Sequence, residues 1–159
     1  MDLLDRLLDH DHWATIQLLD LSRGLTDEQL DQPFDIGHRT VRDTFDHMIL
    51  NVEFWTGSMV NKPVPYEPAR TSVDDMLARH ERSYATFAGL ARTLRDEQRL
   101  DDTFGDHFDE QMTFGGGVLH VILHNEDHRT EVLHILQRLG VPDLPEVDHG
   151  LWDFRRRGF

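Results

Sequence analysis

The feature that most constrains the fold is a stripe of apolar residues with steps of four and three. Val41, Phe45, Met48, Val52, Trp55 and Met59 are spaced by 4, 3, 4, 3 and 4 positions. This spacing lines one face of an α-helix; strand side chains share a face every second residue instead. Thr40 precedes the stripe and can accept hydrogen bonds from the first exposed backbone N–H groups, and Asp43 suits the positive end of the helix dipole. A one-sided helix must be covered by others, and three more segments have the required pattern. Asp2 to about Arg23 carries Leu4, Leu7, Leu8, Ile16, Leu18, Leu19 and Leu21. Ser72 to about Leu100 carries Met76, Leu77, Tyr84, Phe87, Leu90, Ala91 and Leu94. Val118 to about Leu139 is the last, with Gly140 and Pro142 as its stop. No segment reads as a convincing strand. The expected fold is all-α, a four-helix bundle forming one domain over residues 1–159.

The connections are long. Residues 24–39 contain Thr26-Asp27-Glu28-Gln29, a capping box and short helical turn, before Pro33 and Gly37 interrupt. Residues 61–71 hold Pro63, Pro65 and Pro68 and cannot be helical. Residues 101–117 end in Gly115-Gly116-Gly117. No GxxxxGK[ST] pattern accompanies them, so they read as a flexible approach to the fourth helix rather than a phosphate loop. The tail beyond Val141 keeps Leu144, Val147, Leu151, Trp152 and Phe154, and is expected to pack back on the bundle.

Composition removes several classes of function. Cysteine is absent, so any metal must be held by histidine and carboxylate. The formal net charge is −14, which opposes binding to a phosphate backbone. The only basic cluster, Arg155-Arg156-Arg157, reads as a solvated tail. No apolar run approaches the roughly 18 residues of a membrane span. The N-terminus is acidic and opens straight into helical periodicity, unlike a signal peptide, so the expected location is cytoplasmic.

Eleven histidines are many for this length, and three of them share a face. His120, His124 and His128 are four residues apart and form a column spanning about 80° of the fourth helix. Glu131 and Ile135 extend it. His124 and His128 make an HxxxH pair able to clamp one ion. Asn125 follows His124, so this is not the HExxH protease motif. The third ligand should come from a facing helix, and His47, at the edge of the second helix's stripe, is the best candidate. Three imidazoles leave a position open for water or substrate. His10, His12, His38, His107, His134 and His149 read as surface or loop residues, and His80 as a structural polar residue.

Two stretches resemble a known family. Thr40-Val41-Arg42-Asp43-Thr44-Phe45-Asp46-His47, with Asn51, Glu53 and Trp55, resembles the second-helix pattern of the DinB/YfiT-like superfamily. Leu119 to Glu131, running on to Leu139-Gly140, resembles its fourth-helix pattern. Asp148 to Phe154 is similar to the family's usual tail. The resemblance implies an up-down-down-up four-helix bundle and a divalent-ion site on His47, His124 and His128, with His120 a frequent family histidine outside the ligand set. Asp127 and Glu131 depart from the usual His-His-Arg-Gly-Gln run and make the surroundings more acidic. Characterised members include transferases and isomerases dependent on bacillithiol, mycothiol or glutathione.

The expected function is therefore that of a metal-dependent enzyme acting on a small molecule, with thiol S-transfer as the leading reaction. Asn51, Glu131 and His120 are expected to support the ligands. Three imidazoles suit zinc or nickel first, with iron or copper as alternatives. Metal-dependent hydrolysis and a non-catalytic, stress-induced metal-binding or dimerisation module are the competing expectations. A homodimer is expected, with neither nucleic acid nor membrane as partner.

Overall fold

A computed structural model of the chain describes residues 1–62, 64–65, 67, 70–105 and 110–159. His107, Pro63 and Pro68 lie outside the described residues. Among those described there are six helices and one two-stranded hairpin. The helices are α1 (Leu3–Ser22), α2 (Asp27–Leu30), α3 (Val41–Met59), α4 (Val73–Asp96), α5 (Phe114–Arg138) and α6 (His149–Arg156). Strands β1 (Thr103–Gly105) and β2 (Gln111–Thr113) pair antiparallel, with Phe104 opposite Met112.

Each long helix starts at a capping side chain. Asp2 and Asp5 bond each other's backbone N–H groups at the head of α1, and Thr26 and Gln29 do the same for α2. Thr40 accepts from the Asp43 N–H at 2.9 Å, as the sequence indicates. Helix α1 packs on α4 and α5, and α3 packs on the same two helices. No helix is long and apolar enough to cross a membrane among the described residues.

Two expectations are corrected. The connection before the last long helix contains the β1–β2 hairpin, whose three-residue strands are too short to show alternation. Gly115, Gly116 and Gly117 are not a flexible approach; they are the first turn of α5 behind the Thr113 cap. A Cβ on Gly115 would lie 3.1 Å from the Leu100 carbonyl oxygen, and one on Gly117 would lie 3.1 Å from the Phe104 ring. The glycines let the hairpin press on the helix start.

The apolar core falls into two clusters. One holds Trp55, Met59, Tyr84, Phe87, Phe104, Phe114 and Val121. The other holds Leu18, Leu19, Phe45, Met48, Met76 and Ile135. Between them, every long helix contributes buried polar residues: Asp11 on α1, Asn51 on α3, His80 on α4, and Asn125 and Arg129 on α5. Arg129 is ion-paired to Asp11 and Glu126, and Asn125 donates to Asp11 at 2.9 Å. The tail closes on α1 as expected: Trp152 is buried, Arg6 pairs with Asp153 at 2.8 Å, and the His10 ring meets the Val147 carbonyl oxygen at 2.7 Å. His10 is thus buried and His12 half-buried against His80, not the surface residues that the sequence suggested. Both gain cover from neighbours distant in the chain.

Candidate metal centre

The α3–α5 seam brings the three candidate ligands together. His47 Nε2 lies 2.9 Å from His124 Nε2, and His128 Nε2 lies 3.1 Å from the same atom. Ligand nitrogens about 2.1 Å from a tetrahedral ion stand about 3.4 Å apart, so each of these two separations is close to that of nitrogens sharing one ion.

Hydrogen bonds alone satisfy this arrangement poorly. Glu131 Oε2 lies 2.7 Å from His128 Nδ1, which places the proton on Nδ1 and leaves the Nε2 lone pair facing His124. A single proton on His124 Nε2 can serve one of its two neighbours, not both. A cation shared by the three lone pairs satisfies all of them. If His124 offers Nε2, its proton sits on Nδ1, which is buried and has no hydrogen-bond partner among the described residues. The residues present therefore fit a divalent ion in donor type and spacing, and His128 also in tautomer.

Electrostatics point the same way. Burial, reinforced by His38 and His128, lowers the His47 pKa from 6.5 to about 4. Burial, reinforced by His128, His47, His120 and His38, lowers that of His124 to about 3. Both rings are neutral at pH 7, with lone pairs available to a metal.

The supporting residues fall in different places. Glu131 bonds His128, as above. The His120 ring lies 4.7 Å from Trp55 and 5.6 Å from His124, continuing the column as an aromatic wall. Asn51 is buried one turn after His47, and its Nδ2 has no hydrogen-bond partner among the described residues.

The sequence reading missed His38. One ligand nitrogen from each of His38, His47 and His128 lies within 4.8 Å of the others, which makes a second three-histidine set overlapping the first. The His38 and His47 rings are stacked, with centroids 3.7 Å apart and planes tilted by 27°. Nearly parallel rings keep their in-plane lone pairs apart, so these two do not aim at one point as arranged. The Nε2 convergence on His124 makes His47, His124 and His128 the better set. Nothing in the spacing of His38 signalled its place; the turn before α3 puts it there.

That turn also constrains Glu131. Gly37 has φ +41°, and a Cβ there would fall 2.0 Å from Glu131 Oε2. Gly37→Ala should cost about 1–2 kcal/mol through the left-handed backbone and displace the carboxylate from His128. Thermal melting should register the first effect. Chelator competition should register the second as a loss of metal affinity of about 10–100-fold.

A profile of the DinB superfamily matches residues 10–132, a span that includes all four of these histidines. The crystal structure of a DinB-like protein from Bacillus cereus ATCC 10987 is similar in fold. Its TM-score is 0.67 at 21% identity, covering 86% of this chain and 92% of that one. No curated protein matches the chain.

Proposed function

Since the chain belongs to the DinB superfamily, we propose that it is a metalloenzyme of small-molecule thiol chemistry. In this reading residues 1–159 are one four-helix-bundle domain with up-down-down-up order, built on α1, α3, α4 and α5. His47, His124 and His128 hold one divalent transition-metal ion, zinc or nickel first. The observation that carries the reading is the meeting of three Nε2 atoms with 2.9 and 3.1 Å separations. When bound, such an ion would lower the pKa of a thiol brought to it and so supply a thiolate at neutral pH.

The chain's own residues do the rest. Glu131 holds the His128 proton on Nδ1 and fixes the ring's direction. His120 and Trp55 give the substrate an aromatic flank beside His124. The unpartnered Asn51 amide is a donor for a substrate acceptor. In the transfer, the thiol gives its proton to solvent water, sulfur forms a bond to an electrophilic carbon, and the bond from that carbon to the leaving group breaks, its electron pair departing with the leaving group. No cysteine of the protein is needed, in keeping with a chain that has none. A cytoplasmic setting supplies reduced low-molecular-weight thiols. Leu3 and Leu119, exposed and lining one apolar cavity of about 380 Å³, are the surface that a homodimer would cover.

Hydrolysis is less well supported, because Glu131, the carboxylate bonded to this cluster, is already committed to His128. The test is a screen of zinc- or nickel-loaded protein with low-molecular-weight thiols and alkyl or aryl electrophiles. Expected is metal-dependent thioether formation, lost in His124→Ala. Turnover of esters or amides without thiol would replace this reading with hydrolysis. No turnover of any pair would leave the non-catalytic alternative.

A further inference from the structure

The three-ligand set leaves His38 without a role, yet the backbone holds it with care. Phe34 N–H donates to the Arg39 carbonyl oxygen at 2.8 Å, Arg39 N–H to that of Ile36 at 2.7 Å, and Thr40 N–H to that of His38 at 2.9 Å. The residues on either side of His38 are left-handed: Gly37 with φ +41° and Arg39 with φ +73°. A left-handed arginine costs about 1–2 kcal/mol and persists only where its surroundings impose it. The turn is also tied to the far end of α5, through Asp35 to Arg138 at 2.6 Å and through Phe34, over which Arg138 lies at 5.4 Å. The result is a pinned turn that sets an imidazole against the cluster.

The imidazole lies within reach of the same ion. Its ring centroid is 3.7 Å from that of His47 and 5.1 Å from that of His128. Its ligand nitrogen needs to close from at most 4.8 Å to about 3.4 Å, the separation of two nitrogens on one tetrahedral ion. It must also turn out of its stack on His47. His38 is half-buried, with solvent on one side to turn in. The anionic side chains acting on it are Glu131 and Asp43; burial and the His128 imidazole act in the opposite sense.

We propose that His38 is a fourth ligand, supplied by the turn before α3, that closes the resting site and leaves when a substrate donor enters. This rests on the three-histidine reading above and adds an exchangeable arm to it. The bare site would be open; with His38 it becomes a four-imidazole site whose fourth position is released on demand.

The experiment compares wild type with His38→Ala in two titrations. Zinc affinity is measured by competition with a chromophoric chelator, and azide binding is measured on the cobalt(II) proteins by visible absorption. In the variant, zinc affinity is expected to fall about tenfold, the stabilisation supplied by a fourth ligand bound nine-tenths of the time. Azide should bind about tenfold more tightly, because a fourth position filled nine-tenths of the time weakens an incoming ligand by that factor. Unchanged zinc and azide constants overturn the proposal. So does a zinc loss without an azide gain, which is what a merely loosened turn would give, or an azide gain without a zinc loss, which would make His38 a steric cover. Circular dichroism checks that the variant folds. Wild type that takes up no zinc defeats the three-histidine reading itself, a result visible before any variant is made.

Discussion

His124→Ala is expected to strip the protein of its metal. Wild type purified without a histidine tag should carry about one equivalent of a transition-metal ion, and the variant almost none. The expectation comes from the position of His124 in the cluster. Its Nε2 is the atom that both His47 and His128 approach, so removing it separates the remaining two. Metal binding by a small site of this kind is worth about 10–16 kcal/mol over about four ligands, or about 3 kcal/mol each, so losing one costs about a hundredfold or more in affinity. Elemental mass spectrometry and chelator competition measure it. Full occupancy in the variant would end the site assignment.

The depressed histidine pKa values add a pH signature. In the unfolded chain each ring binds a proton near pH 6.5; in the folded apoprotein His47 waits until about 4, and His124 and the deeply buried His80 until about 3. Between those limits the unfolded state holds more protons, so apoprotein stability falls as pH drops from 6.5 towards 3 and is fully present above 6.5. Melting temperatures of the apoprotein across pH 4–7 should show this slope. A flat profile would mean that the rings are not buried neutral.

Much of this architecture can be read in the chain. The 4-3-4-3-4 stripe of α3, the Thr40 cap, the Thr26–Gln29 box and the HxxxH column are all local patterns, and local patterns need only helix geometry to interpret. What could not be read depends on neighbours distant in the chain. Gly115 to Gly117 look like a break until Leu100 is seen to crowd the place of a side chain on Gly115, and Phe104 that on Gly117. His38 looks like a loop histidine because its partner ring, on His47, is reached only through a turn with two left-handed residues. Nothing local marks Asp11 as a core residue, because its counterion lies 118 positions away.

That last pair carries the other large prediction. Arg129→Met should destabilise the protein by about 3–5 kcal/mol, since breaking a buried ion pair leaves one charge without compensation. Asp11 is fully buried and Arg129 is 1% exposed. The guanidinium also bonds Thr15 Oγ1, at 3.2 Å, and Glu126, so its loss unpairs acceptors on both α1 and α5. Against a total stability of about 5–15 kcal/mol this is about a fifth or more, and urea unfolding would show it as a lowered midpoint. The double variant Asp11→Leu with Arg129→Met removes both charges and should recover much of the loss, because well-packed apolar replacements of buried pairs are often neutral or better. Arg129 faces α1, about 100° around α5 from its neighbour His128, so the folded single variant should retain its metal. A loss below about 1 kcal/mol would mean that water already reaches the pair and that the polar layer between the two core clusters is wetter than its burial indicates. A large loss with the metal retained would separate the two tasks of this stretch of α5. One face fastens α1 through Arg129, while the other offers imidazoles to the seam with α3.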